Sequence, residues 1–511
     1  MTRTLPSPVA GGPDERFGPR LWGLLLVLAG NMLIDALEVS VAVVALPAIG
    51  TDLGQPPTVT QWAMTGFAAG FGGLLLFGAR VVTLLGRRPV YLAALLAFAA
   101  ASVLSALAHD PWLLLATRLT KGFCAALTAP TGLAIITSHF PEGRPRSRAV
   151  SVYTLFGAGG FTTGLLLSGC LTETSWRWSF AFPAPVVLLL FAAGLYLIPT
   201  EMDRAPKGRG AVLDMRLPPR GRDQPPRRRA RTTTARPFGI PSALTLLGAL
   251  LALVQGITQL PTHGWTDPRA IGPLTAAALL VLLLRHIERR STAPLLNLAP
   301  LRSNPDLLRS ALGAACLNGS YLGLLFVLTY QTQTLAGWSP LHTALALLPA
   351  AAPPALTALA SGRLVATFGA PRLIVAGAAC AFAGTLLQLR PHAWPLDYPG
   401  RMLPTLLLVG AAFVLSFAAL NMQAMSRLTP ADRLTGSGLY QTAVQLAAVL
   451  AVALVAALLA AHAPAPGAGP AAAAAACRPA LTLVAALGFL GLLVGLTGLI
   501  RTPPSSLHHG E

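Results

Sequence analysis

Apolar runs of about 18 to 25 residues, separated by short polar turns, recur along almost the whole chain, and wound as an α-helix such a run matches the thickness of a bilayer. They lie near 22–47, 59–79, 89–108, 112–136, 150–171 and 178–199, six spans in the first 200 residues. Residues 200–238 break the pattern with Pro, Gly and eleven Lys or Arg, and two further runs follow near 239–259 and 270–286. Six more lie near 309–333, 341–362, 371–389, 402–425, 435–461 and 480–500. The pattern predicts an all-α membrane protein of 14 spans. Its parts are a tail (1–20), a six-helix bundle (21–199), a basic loop (200–238), two inserted helices (239–286), a linker (287–308), a second six-helix bundle (309–500) and a tail (501–511). The Ala/Pro/Gly stretch 462–476 reads as a low-complexity loop.

Composition agrees: 54% of the 511 residues are hydrophobic, only 11% are charged, and the mean hydropathy is +0.63. A net charge of +19 would suggest nucleic acid in a soluble protein, but the basic residues sort by loop. About 30 fall on one side of the predicted membrane, including Arg80, Arg87, Arg88, Arg363 and Arg372, and only Arg177, Arg269, Arg390, Arg401 and Arg478 on the other. This asymmetry predicts an inner- or plasma-membrane protein with both termini cytoplasmic, and it makes lipid headgroups, not nucleic acid, the partner of the basic loop. The first apolar run is too long for a signal-peptide core and has no small-residue cleavage site, so it is expected to remain as a span. Five scattered cysteines have no paired spacing and read as small core residues.

Charge inside the spans changes the picture. The first carries Asp35 and Glu38, three residues apart and so on one helix face, where an ionisable group costs about 2.5–3.5 kcal/mol and marks a pathway or a buried ion pair. The fourth carries Arg118 and Lys121 with the same spacing. At ~1.5 Å per residue, Glu38 lies ~13 Å below Pro47 and Lys121 ~15 Å below Pro111, similar depths on antiparallel helices. The four charges are therefore expected to form one mutually neutralised cluster. A permanently paired Glu38 would stay charged and carry no proton; pairing that alternates between conformations would make it a proton switch. The last six spans are expected to hold no acid, with Asp306, Asp397 and Asp432 assigned to loops, so carboxylate coupling belongs to the first block.

No Walker A sequence, metal-ligand spacing or nucleophile elbow is present, so no cofactor is expected and energy must come from a gradient rather than catalysis. Transport of a solute driven by that gradient is the expected role. Two rivals are solute uptake by symport and a membrane enzyme built on a His109–Asp110 dyad, which also fits an ordinary turn. Gly157, Gly160, Gly164 and Gly169 form a small-residue stripe for close helix packing or for a hinge. Gln61, Trp62, Asn318, Tyr321, Asn421, Gln441 and Gln445 are candidate cavity residues. An echo links the halves: Arg80 precedes Gly86, Arg87 and Arg88 as Arg363 precedes Gly369 and Arg372, after the second span of each bundle.

These residues resemble the major facilitator superfamily, specifically its fourteen-span drug:proton antiporter branch. Glu38-Val-Ser-Val-Ala-Val-Val-Ala-Leu-Pro47 is similar to the first-span motif L-D-x-T-I-V-N-V-A-L-P, with Glu38 for the Asp, Val43 for the Asn, and Asp35 as an additional acid. Arg118-Leu-Thr-Lys121-Gly122 resembles R-x-x-Q-G, whose Arg is linked in the family to proton transfer, with Lys121 in place of the Gln. Gly157 to Gly169 resembles the fifth-span antiporter motif without its Pro, and Ser175-Trp176-Arg177-Trp178 the S-W-R-W start of the sixth span. The loop motif G-x-L-A-D-x-x-G-R-R is matched from Ala79 to Arg88, with Thr83 for its latching Asp. The resemblance implies two six-helix bundles plus two central helices, alternating access around a midplane cavity, export of a small lipophilic drug, antibiotic or metabolite in exchange for protons, a monomer, and a cytoplasmic latch that is altered or weak.

Overall fold

The computed structural model describes residues 17–199, 239–390, 396–429, 432–464 and 469–500, and among them every regular element is helical. In a bilayer no water satisfies backbone amides, so a spanning chain must bond within itself. The first bundle comprises α1 (Pro19–Leu53), α2 (Pro57–Thr60), α3 (Trp62–Leu85), α4 (Arg87–Ala106), α5 (Pro111–His139), α6 (Arg144–Thr172), α7 (Trp176–Ala181) and α8 (Pro183–Leu197). The inserted pair is α9 (Ile240–His263) and α10 (Pro268–Arg290), followed by the short α11 (Ala299–Ser303). The second bundle holds α12 (Pro305–Thr329), α13 (Pro340–Thr357), α14 (Ser361–Phe368), α15 (Ala370–Leu389), α16 (Leu403–Met425), α17 (Arg433–Ala461), α18 (Pro470–Ala476) and α19 (Arg478–Ile500). Prolines in first turns, with side-chain caps from Asp110, Asp267, Asn304 and Ser339, set where many of these helices begin.

Thirteen helices or joined helices are long and apolar enough to cross a membrane; the bent pair α13 and α14 makes the fourteenth. Packing repeats between the halves. α1 rests on α6 as α12 rests on α17, α3 on α5 as α13 on α16, and α4 on α8 as α15 on α19. The bundles meet along two seams of exchanged type: α6 against α13, and α3 against α17. α9 packs on α10, α17 and α3, with Leu250 and Val254 buried against Trp62, Ala69 and Val449. Gly86 and Gly369 join the second and third spans of the two halves with nearly the same dihedrals, φ 91°, ψ 151° and φ 79°, ψ 142°. That backbone region is open essentially to glycine alone, which explains the sequence echo.

Three expectations need correction. Asp306 is not in a loop: it lies in the first turn of α12, buried, paired with Arg309 and, at 2.9 Å, with Arg427. The span expected at 341–362 is broken, bending by 77° between Thr357 and Ser361, just after Pro349, Pro353 and Pro354 have each removed a helix hydrogen bond. Part of the stretch read as a loop at 462–476 is the helix α18. Residues 1–16, the basic loop 200–238 and the tail 501–511 lie outside the described residues.

Candidate functional site

The site begins at the middle of α1, where Asp35 and Glu38 straddle the midpoint of a 35-residue helix. Close backbone crossings bring the cations to it. A Cβ on Gly122 of α5 would collide with the Phe67 carbonyl of α3, and one on Gly70 with the Leu119 carbonyl, so the glycines let α5 lie directly on α3. Arg118 then reaches both neighbours: its Nε donates to the Ala63 carbonyl at 2.5 Å, its Nη2 to the Glu38 carbonyl at 2.8 Å, and its Nη1 to Glu38 Oε2. Lys121 Nζ takes the other carboxylate oxygen, Oε1. All three side chains are 0% exposed.

Aromatic faces complete this cage. The Arg118 guanidinium lies 5.1 Å from the Phe67 ring centre and 5.4 Å from that of Phe180; Lys121 Nζ lies 5.0 Å from Phe98 and 5.7 Å from Phe180. Ring faces stabilise cations most where water is absent. Glu38 is thus doubly paired inside the first bundle, and neither cation is exposed to a surface that a solute touches.

Asp35 is placed differently. It is 6% exposed, and its Oδ2 accepts from Asn31 Nδ2 and from Thr128 Oγ1, each at 3.1 Å. Its Oδ1 has no hydrogen-bond partner and no cation reaches it among the described residues. Tyr91 of α4, Cys124 of α5 and Tyr153 of α6 share its surroundings and feel its charge. The Tyr91 hydroxyl is buried without a partner, whereas that of Tyr153 donates to the Ala129 carbonyl at 3.0 Å. The four charges therefore divide into a tight trio and one carboxyl apart.

The remaining candidates scatter. The expected gate loop is mostly helix: Arg80, in the last turns of α3, donates to the Pro294 carbonyl of the linker, Arg88, in the first turn of α4, donates to the Leu195 carbonyl at 2.8 Å, and Thr83 bonds back to Ala79 of α3 at 2.8 Å. Glu288 braces the linker by accepting from Leu295 N and Leu296 N at 3.2 and 2.8 Å. Arg363, the counterpart of Arg80, is exposed, and among the described residues none bonds to its side chain. Gly157, Gly160 and Gly164 face α1: a Cβ on Gly160 would lie 2.8 Å from Ala36 Cβ, and one on Gly164 2.8 Å from the Leu37 carbonyl. Gly169 lies instead on α13, against Ala344 and Leu341.

Of the cavity candidates, Gln61 is buried and accepts from Thr65 Oγ1 at 2.7 Å, and Trp62 is buried toward α9. Asn318 donates to the Val444 carbonyl at 3.4 Å, Gln445 packs on Gly72, Gln441 is half-buried and Asn421 exposed. Tyr321 sits at the bundle boundary, its hydroxyl donating to the Ala350 carbonyl at 3.3 Å. Around it runs an aromatic row that patterning had not singled out: Phe161 of α6, Tyr321 of α12, then Phe413 and Phe417 of α16, with successive centroids 5.7, 4.9 and 5.1 Å apart. Across the same boundary Thr162 donates to the Ala351 carbonyl at 2.7 Å, Gln333 to that of Val44 at 3.0 Å, and Leu341 N to Glu173 at 2.9 Å. Asp52, also unremarked in the sequence, accepts from Arg177 at 2.6 Å and from Trp176 Nε1 at 3.1 Å, tying the S-W-R-W segment to the end of α1.

A sequence profile of the Major Facilitator Superfamily matches residues 28–452. A puromycin resistance protein of Streptomyces alboniger is 32% identical over 454 residues, 86% of this chain and 81% of that protein. A cephamycin export protein of Amycolatopsis lactamdurans is 30% identical, covering 83% of this chain and 81% of its own length. Among solved structures, the peptide transporter POT in complex with sulfate superposes with a TM-score of 0.63 at 12% identity, covering 94% of both chains, a likeness of fold. The xylose transporter XylE from E. coli, in a partially occluded inward open conformation, gives 0.57 at 13% identity over 95% of this chain and 98% of that one.

Proposed function

Because this chain belongs to the major facilitator superfamily, we propose that it is a secondary transporter of the plasma membrane that exports a small lipophilic compound, an antibiotic or related metabolite, in exchange for protons. The observation that carries the reading is the pair of carboxyls buried at the middle of α1 beside two cations, an arrangement too costly to keep in a bilayer without use. The likeness to a cephamycin export protein supports the outward direction, and the likeness to both relatives supports an antibiotic as the class of cargo. The charge asymmetry of the loops supports cytoplasmic termini, and nothing in the reading requires more than one copy of the chain or any cofactor.

The aromatic row from Phe161 to Phe417 supplies the cargo surface in this reading. Rings in sequence give apolar contact without a fixed hydrogen-bond pattern, which suits lipophilic molecules of varied shape. The bonds from Thr162, Gln333 and Leu341 cross between bundles and must part when that end opens, while Arg80 on the linker replaces the missing motif Asp as a latch. The enzyme reading gains no support at His109–Asp110, since the Asp110 carboxylate is the cap of α5, accepting from Trp112 N and Leu113 N at 2.9 Å.

Expression in an efflux-deficient bacterial host tests the proposal. Export raises the puromycin concentration tolerated and lowers cell-associated drug until an uncoupler collapses the proton gradient. Greater accumulation on expression would reverse the direction to uptake, and an uncoupler-insensitive effect would remove the proton.

A further inference from the structure

We propose that Asp35, not the motif acid Glu38, takes up and releases the transported proton, and that Lys121 is the reason the role sits one helical turn away from the motif. The inference rests on the transport reading above. Its starting point is that this chain departs from its family's pattern twice in one place, by an extra cation, Lys121, and an extra anion, Asp35.

Consider first what protonation would do at Glu38. Both of its oxygens are engaged, Oε2 by Arg118 and Oε1 by Lys121, in a pocket closed by Phe67, Phe98 and Phe180. A proton on either oxygen would leave two neighbouring buried cations without their anion. Removing one member of a buried ion pair is among the most unfavourable local changes a protein can make. With a Gln at 121 the acid would face a single cation; with Lys121 it faces two.

At Asp35 the same step is mild. Oδ2 keeps its bonds from Asn31 and Thr128, both neutral donors, and the proton goes to Oδ1, which accepts from nothing. No hydrogen bond breaks. The only bond made on uptake, and the only one broken on release, is Oδ1–H, with the proton drawn from solvent on one face of the membrane and returned to the other. The groups around it are Asn31 and Glu38 on α1, Tyr91 on α4, Cys124 and Thr128 on α5 and Tyr153 on α6, and the nearest cations, Arg118 and Lys121, are already committed to Glu38. Counting charge, the trio alone carries one net positive unit, which ionised Asp35 cancels and protonated Asp35 restores. Each proton taken or lost thus switches the buried charge of the first bundle between one and zero. A change of that kind in a low-dielectric interior is able to bias one packing of the bundles over another.

The test uses purified full-length protein. In proteoliposomes loaded with a pH gradient, wild type accumulates puromycin, and Asp35→Asn, which has the shape of the protonated acid, loses all gradient-driven accumulation but still equilibrates the drug. Asp35→Glu retains accumulation. Asp35→Asn with Lys121→Gln recovers part of it, because a proton on Glu38 then leaves one buried cation without its anion instead of two. Infrared difference spectra on acidification, which need no cargo, show a protonated-carboxyl band in wild type that disappears in Asp35→Asn. If wild type moves puromycin with no regard to the gradient, the transport reading falls and this inference with it. If wild type couples and Asp35→Asn couples equally, or if the carboxyl band survives in Asp35→Asn, the inference is overturned while the transport reading stands.

Discussion

The two six-helix bundles share a packing plan and differ in what they bury. Both rest first span on fifth, second on fourth and third on sixth, and both turn between second and third spans through a glycine of the same unusual conformation. Yet the first encloses Asp35, Glu38, Arg118 and Lys121 at mid-height, whereas Asp306 and Arg309 sit in the first turns of α12, joined by Arg427, which lies beyond the end of α16 and is 70% exposed. The packing plan recurs in both bundles; among the described residues, charge buried at mid-helix lies in the first. The first bundle is built to hold charge, and the second to present aromatic and small apolar surface at the boundary.

The contrast breaks most visibly at the ion pairs. Arg118→Ala strands Glu38 beside one remaining cation and is expected to lower stability by about 3–5 kcal/mol, whereas Arg427→Ala, removing an exposed partner of Asp306, is expected to cost under ~1 kcal/mol. Thermal unfolding of both proteins in detergent checks this, and equal shifts would mean that the two bundles use charge alike. Next come the first-to-fifth seams. Gly164→Ala drives a methyl into Leu37 and Ser40, an overpacking expected to cost about 1–3 kcal/mol, while at Gly319 of α12 the new Cβ meets Ala451 Cβ at 3.0 Å and the gain in helix propensity, ~1 kcal/mol, offsets much of the strain. Comparable losses in the two variants, read by the same unfolding assay, would contradict a tighter α1–α6 seam. The smallest effect is at the loops. Arg80→Ala frees the linker from one hydrogen bond, worth about 1 kcal/mol, and limited proteolysis should cut 291–298 a few times faster; Arg363→Ala should leave the digestion pattern as it was.

Most of the fold was legible because a bilayer imposes its own period: apolar runs of spanning length mark helices whatever their neighbours. Legibility failed where a local signal had two readings. Asp306 looked like a loop residue because it precedes the apolar run that begins near 309, but Asn304 and Pro305 start the helix earlier and carry its side chain into it. The three prolines of α13 were visible, though whether they bend or break the span depends on contacts across the boundary. At the site, spacing placed both acids on one face of α1 and both bases on one face of α5. It could not divide them into a trio and a solitary carboxyl, because that division is made by where α5 crosses α3. Phe161 and Phe413 were invisible for a simpler reason: an aromatic within an apolar run has no periodicity that separates boundary from core.

The inserted helices have a geometric consequence. α9 leans on the α3–α17 seam, burying Leu250 and Val254 there, and carries α10 on its other side. The two seams are therefore closed by different means. The α3–α17 seam carries a wall of added helix, while the α6–α13 seam is held by its own contacts, Gly169 against Ala344 and Phe161 beside Tyr321.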